Sequence, residues 1–267
     1  MEFINFLQYS FIQRAFLAGS FVAIICAALG IFLVLRKMSL IGDGLSHVSF
    51  GAIALGIFLG IYPFHIAVPL VILSSYIILK ITEKAKIYGD AAIGIVSAVG
   101  IAGGVLLASL SNGFNVDLFS YLFGNILSIA LSEVILSVIL SAIVLIIIYL
   151  YYWDLFSATF DEEYAKTTGI KTEYINIIIS ALTAVTVVLA VKMVGVMLVS
   201  ALLILPAVTS LQIAKGFKIA IVLACCTALI SVVLGITISF FLNWPSGATI
   251  VLLNALFFIL ALIYKKL

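Results

Sequence analysis

Formal charge is scarce in this chain: only 9% of its 267 residues are Asp, Glu, Lys or Arg, where a soluble domain carries about 25%. So few charges could not cover an aqueous surface, which excludes a soluble globular fold. Nor is there a polar stretch long enough to fold separately, so residues 1–267 are expected to form a single membrane domain. Histidine occurs twice, cysteine three times and proline four times. Cys26 is isolated, and the adjacent Cys225 and Cys226 point about 100° apart on a helix, so no disulfide framework or chelate is expected. Three chemical signatures are also missing: a Gly-x-x-x-x-Gly-Lys-Ser/Thr phosphate loop, a His-Glu-x-x-His zinc helix and a Gly-x-Ser-x-Gly elbow. The chain is therefore not expected to hydrolyse ATP, to act as an enzyme or to hold a resident cofactor. A net charge of +2 gives no reason to expect a nucleic-acid partner.

What is present is apolar: 66% of residues, with a mean hydropathy of +1.41. Charged residues punctuate this sequence and count the crossings, each needing about 20 residues to span a core of roughly 30 Å. Uncharged runs of 21, 26, 20, 18 and 22 residues lie between Arg14 and Arg36, Asp90 and Asp117, Glu133 and Asp154, Glu173 and Lys192, and Lys192 and Lys215. Two longer runs, Asp43 to Lys80 and Lys218 to Lys265, break at Gly60-Ile-Tyr-Pro-Phe-His65 and Asn243-Trp-Pro-Ser-Gly247. The pattern predicts an all-α polytopic membrane protein of about nine transmembrane helices. Of the basic residues, Arg36, Lys37, Lys80, Lys84, Lys86, Lys166, Lys171, Lys215, Lys218, Lys265 and Lys266 follow odd-numbered spans, leaving Arg14 and Lys192 as exceptions. The positive-inside rule then puts the N-terminus outside and the C-terminus in the cytoplasm. No cleavable signal peptide is expected, since the first apolar run is too long for one.

Within the second span Asp43 and His47 stand four residues apart, one helical turn, on one face. Carboxylate and imidazole in an apolar span are costly and mark a site, and together they suit Zn²⁺ or Mn²⁺. The structural alternative makes Asp43 the N-cap of that span and His47 a satisfied interior residue. One chain would supply two ligands where Zn²⁺ takes four, or three and a water; two copies meeting on a two-fold axis would supply two of each. Asp117 caps a short helix or lines an entrance, and His65 reads as a solvated turn residue. Pro206 should kink the seventh span, as packing or as a hinge. Gly56 with Gly60, and Gly100 with Gly104, read as close helix contacts within one subunit. In the polar stretch Trp153 to Ile170, Thr159 and Glu162 have capping-box spacing and Gly169 suits a C-terminal cap, predicting a short helix. Such a helix needs something to dock on, a protein partner or lipid headgroups. Its acids at 161–163 favour the protein.

The run Leu33-Val-Leu-Arg-Lys-Met-Ser-Leu-Ile-Gly-Asp-Gly-Leu-Ser-His47 resembles the signature of the permease subunits of bacterial metal-ion ABC importers. So do Val116–Gly124, Phe160–Ala165 with Gly169-Ile170, Val194–Ala207 and Pro245–Ala248, in order along nearly the whole chain. The likeness is closest to the zinc-uptake permease. It implies a homodimeric, multi-pass inner-membrane permease that works with cytoplasmic ATPase subunits and an extracytoplasmic protein delivering Zn²⁺ or Mn²⁺. It also implies metal passage at Asp43 and His47, and an ATPase-coupling segment near 154–170 that includes Phe160, Asp161, Glu162, Tyr164, Ala165 and Gly169. Two positions depart from the pattern: Gly44 replaces a more usual Ala or Ser, and Ser49-Phe50-Gly51 lacks the proline of manganese members, which favours zinc. A gradient-driven secondary transporter would instead require more ionisable residues within the spans than this chain has.

Overall fold

The computed structural model describes residues 8–85, 88–110, 121–122, 124, 126 and 129–266. A backbone in lipid must satisfy its own polar groups, so long apolar segments become helices. They are α1 (Ser10–Leu35), α2 (Ile41–Phe58), α3 (Pro63–Ala85), α4 (Gly89–Leu110), α5 (Leu131–Leu150), α6 (Tyr152–Phe160), α7 (Glu162–Thr167), α8 (Thr172–Val194), α9 (Val199–Ile213), α10 (Phe217–Leu242) and α11 (Ser246–Lys266). Among the described residues eight helices are long and apolar enough to cross a membrane, and α9 is a shorter apolar ninth. The nine expected spans map onto α1 to α5 and α8 to α11 in order. Both predicted internal breaks are real: α2 ends before Gly60 (φ +67°), and α10 ends at Asn243 (φ +53°).

Burial divides the bundle. In α1 and α8, 72% of the membrane-length window is buried, and in α2 67%, against 22% in α4. The first three form the centre, and the others ring it. Small residues set the closest crossings. A side chain at Gly30 of α1 would overlap the Leu203 carbonyl of α9. A side chain at Gly51 of α2 would overlap the Gly100 carbonyl of α4, and Gly104 lies against Phe50. Gly100 and Gly104 thus pack within the subunit as expected. Gly56 and Gly60 do not form such a pair, because Gly60 lies beyond the helix in a turn that needs positive φ.

Local chemistry fixes both ends of the stretch most relevant to function. Helix α1 stops in a Schellman turn, with Lys37 N–H bonded to the Val34 carbonyl and Met38 N–H to the Leu33 carbonyl. Lys37 takes the left-handed position (φ +58°) that glycine ordinarily fills, a conformation costing about 1–2 kcal/mol for an L-residue. The polar stretch near residue 160 holds two short helices rather than the one expected. Asp161, not Thr159, caps α7, its Oδ1 accepting from Tyr164 N–H at 2.9 Å. Thr159 falls inside α6, where its hydroxyl donates to the Leu155 carbonyl at 2.6 Å. Gly169 (φ +88°) closes α7 as expected, with Ile170 N–H bonded to the Ala165 carbonyl.

Candidate metal centre

Helix α2 starts after Leu40, so Asp43 is in the first turn and caps nothing. The capping alternative for Asp43 is thereby removed. Its carboxylate still gains from the positive end of the helix dipole. Asp43 Oδ2 lies 3.7 Å from His47 Nε2, with the side chains 45% and 23% exposed. That separation is long for a hydrogen bond. It is close to the distance of about 3.4 Å between two ligands each about 2.1 Å from a tetrahedral ion. His47 Nδ1 is buried and has no hydrogen-bond partner, so the imidazole is not held as an ordinary satisfied core histidine. On α2 the residues left partly open are Asp43, His47, Gly51, Leu55 and Ile57, four of them at i, i+4 spacing, and the rest of the helix up to Ile57 is buried. Gly44 faces the other way, where a side chain would overlap Ile93 of α4. The departure from Ala or Ser at this position therefore has a packing cause.

A third polar group joins from far along the chain. Ser200 Oγ donates to Asp43 Oδ1 at 3.4 Å across 157 residues of sequence. It can do so because α8 does not run directly into α9. The chain breaks at Gly195 (φ +84°), makes one 3-10 turn at Val196–Leu198 and restarts as α9. With 15 residues α9 is about 22 Å long, short of a full crossing, and its N-terminal turn falls beside Asp43. Non-helical backbone at membrane depth is tolerated where it is buried in protein or lines a path. Pro206 is buried within α9, which stays helical through it. Ser200 escaped the sequence reading because neither spacing nor composition points from α9 to α2. Asp117 lies outside the described residues.

A second polar cluster stands at the opposite end of the bundle and was also missed. Lys192 Nζ lies 3.4 Å from Glu133 Oε1 and 4.9 Å from the centre of the Tyr121 ring. Tyr62 donates to the same Glu133 oxygen at 3.2 Å, and Glu133 Oε2 accepts from Ala130 N–H at 3.0 Å. Burial, followed by the adjoining Glu133 carboxylate, pushes the Tyr62 phenol up to about 12. One signal for this cluster is legible in the chain: Lys192, an exception to the basic asymmetry.

At the basic end α6 and α7 present their outer faces. Phe160 and Tyr164 are 59% and 62% exposed, and Asp161, Glu162 and Gly169 are exposed too. Ala165 is fully buried and holds α7 down rather than facing out. Behind these helices Arg36 donates to Thr159 Oγ1 (3.2 Å), Asn176 Oδ1 (2.6 Å) and the Ala158 carbonyl (3.0 Å). Burial pulls its guanidinium below the ordinary value, and Glu162 opposes that shift. A cleft of about 660 Å³ opens beside Arg36, bounded by Lys37, Met38, Thr82, Glu162, Glu173 and Asn176. Among the described residues no three His, Cys, Asp or Glu side chains gather at one point, so a single chain offers Asp43 and His47 as a pair.

Known proteins resemble this chain along nearly its whole length. The chain is 33% identical over 98% of its length to the manganese transport system membrane protein MntC of Halalkalibacterium halodurans, covering 90% of that protein. It is 31% identical over 97% of its length to the high-affinity zinc uptake system membrane protein ZnuB of Haemophilus influenzae, covering 99% of it. The structure superposes with a TM-score of 0.88 on a chain of PsaBC from Streptococcus pneumoniae in complex with Fab, at 33% identity, covering 97% of this chain and 94% of that one. Residues 8–265 match the ABC 3 transport family, and the chain belongs to it as a multi-pass ABC-transporter permease of the bacterial inner membrane.

Proposed function

We propose that this protein is the permease subunit of an ATP-driven importer of Zn²⁺ or Mn²⁺. Metal arrives from an extracytoplasmic binding protein, passes Asp43 and His47, and leaves into the cytoplasm. ATP is hydrolysed by separate ATPase subunits that dock on α6 and α7, at the basic end that the positive-inside rule places in the cytoplasm. The observation that carries this reading is the 3.7 Å carboxylate–imidazole pair, too far apart for a good hydrogen bond and spaced for a shared ion. Two ligands per chain hold metal incompletely. A second copy meeting the open stripe of α2 would bring the count to four, and Ser200 would steady each carboxylate. Ligands from two moving subunits can separate and release the ion, as a transport site requires. Carboxylate and imidazole accept both metals, and the relatives are named for one or the other. The gradient-driven alternative gains no support, because Lys192 and Glu133, further ionisable residues within the spans, are already paired with each other.

The test is uptake of Zn²⁺ and of Mn²⁺ into vesicles holding the reconstituted complex with its binding protein, with and without ATP. His47→Ala and Asp43→Asn should each lower uptake at least tenfold without reducing the amount of inserted complex. Near-normal uptake in both variants would remove the metal site. Equal uptake with and without ATP would remove the ATP-driven reading.

A further inference from the structure

Among the described residues Arg36 forms no ion pair and does not touch Asp43 or His47, yet it joins the two working parts of the molecule. It is the C-cap of α1, followed by the tight turn through Lys37 and Met38 and then by α2, whose first turn carries Asp43. Its three acceptors lie on the other side of the cleft: the Ala158 carbonyl and Thr159 at the end of α6, and Asn176 in α8. Asn176 Nδ2 in turn reaches Glu162 Oε1 at 3.5 Å, and Glu162 pairs with Lys166 at 3.1 Å on α7. A continuous chain of polar contacts therefore runs from exposed α7, through Glu162 and Asn176, to Arg36 and the base of the metal-bearing helix.

We infer that Arg36 is a positioning residue that couples α7 to the Asp43–His47 pair, with Asn176 as the intermediate link. This rests on the transport reading above and adds the route by which a push on α7 reaches the metal. Two features of the geometry favour transmission over simple anchoring. The Schellman turn after Arg36 is fully bonded, so displacement of the guanidinium moves the start of α2 instead of being absorbed by slack backbone. The cleft beside Arg36 leaves that turn room to move, while Asp43 seven residues on is partly open. A purely structural arginine would sit against packed neighbours on all sides. The contacts are also made to neutral acceptors, each a bond that can break and re-form without stranding a counter-charge.

The experiment measures metal transported per ATP hydrolysed in the reconstituted complex, using Zn²⁺ and Mn²⁺ as probes. Asn176→Ala removes the intermediate link while leaving Arg36 bonded to Thr159 and Ala158. It should lower the ratio at least tenfold with normal amounts of complex. Arg36→Gln should do the same. Asn176→Asp, whose carboxylate still accepts from Arg36 but cannot donate to Glu162 and repels it, should lower the ratio as well, by breaking the link on the α7 side. An unchanged ratio in Asn176→Ala overturns the inference, whether or not Arg36→Gln assembles. A proportionate fall of uptake and ATP hydrolysis in Asn176→Ala overturns it too, since that is the mark of a structural role. If the unaltered complex shows no ATP-dependent uptake, the transport reading itself has failed, and this is visible before any variant is read.

Discussion

The polar clusters at the two ends of the bundle are built on opposite plans. Glu133 and Lys192 form one direct ion pair with side chains 9% and 17% exposed, roofed by Tyr62 and Tyr121. The Arg36 cluster is a relay: a half-buried cation bonded to a hydroxyl, an amide and a carbonyl, with its carboxylate, Glu162, half open at the rim of a cleft. A closed pair has one good arrangement, because separating its members strands two charges in a poor solvent. A relay through neutral groups can lose and regain single bonds at about 1 kcal/mol each. The first plan suits the clamping of α5, α8 and the α2–α3 turn at fixed spacing. The second suits a junction that shifts during a cycle.

The largest effect that would break this contrast comes from removing one member of the clamp. Lys192→Met leaves Glu133 buried without its counter-charge and should cost about 3 kcal/mol, seen as a lower unfolding temperature in detergent. Adding Glu133→Gln should recover most of it. If the single variant were as stable as the original protein, the pair would not be a clamp. A smaller effect is expected at the other end. Thr159→Val removes one hydroxyl from the relay and should cost about 1 kcal/mol, with transport per ATP dropping less than in Asn176→Ala. A loss as large as that of Lys192→Met would show the two clusters to be energetically alike. The smallest effect concerns Tyr62, whose phenol ionises near 10 in the unfolded chain and at about 12 in the folded protein. A raised value means its contribution is complete below pH 10 and is lost as pH rises from about 10 to about 12. Comparing pH–stability curves, Tyr62→Phe should fall less steeply across that window than the original protein. Identical slopes would show that Tyr62 is not coupled to Glu133.

How much of the candidate site could be read in the sequence follows from the reach of each signal. Asp43 and His47 were visible because a helix puts residues four apart on one face, and nothing else in that apolar run competes with them. Gly169 was visible as a cap because the left-handed position strongly favours glycine. Thr159 was misread because the capping-box pattern tests residue types at a spacing and cannot see whether α6 has already ended. Ser200, Tyr62 and Asn176 were invisible as partners, since each meets its contact across more than 70 residues of sequence. The outward face of α7 was only half legible: Tyr164 points out as a docking residue should, whereas Ala165 is buried.

By itself the sequence determined that this chain lives in a bilayer, that it crosses about nine times and which ends of its helices share a side. Those properties are sums over composition and charge, and no contact is needed to fix them. Tertiary structure alone decided that α9 starts beside Asp43, that Lys192 is paired with Glu133 and that Arg36 bridges α1 to α6 and α8. In lipid the hydrophobic effect does not choose between helix neighbours, so pairing depends on close packing at small residues and on individual polar contacts. Those are properties of two surfaces together, and no single stretch of chain encodes them.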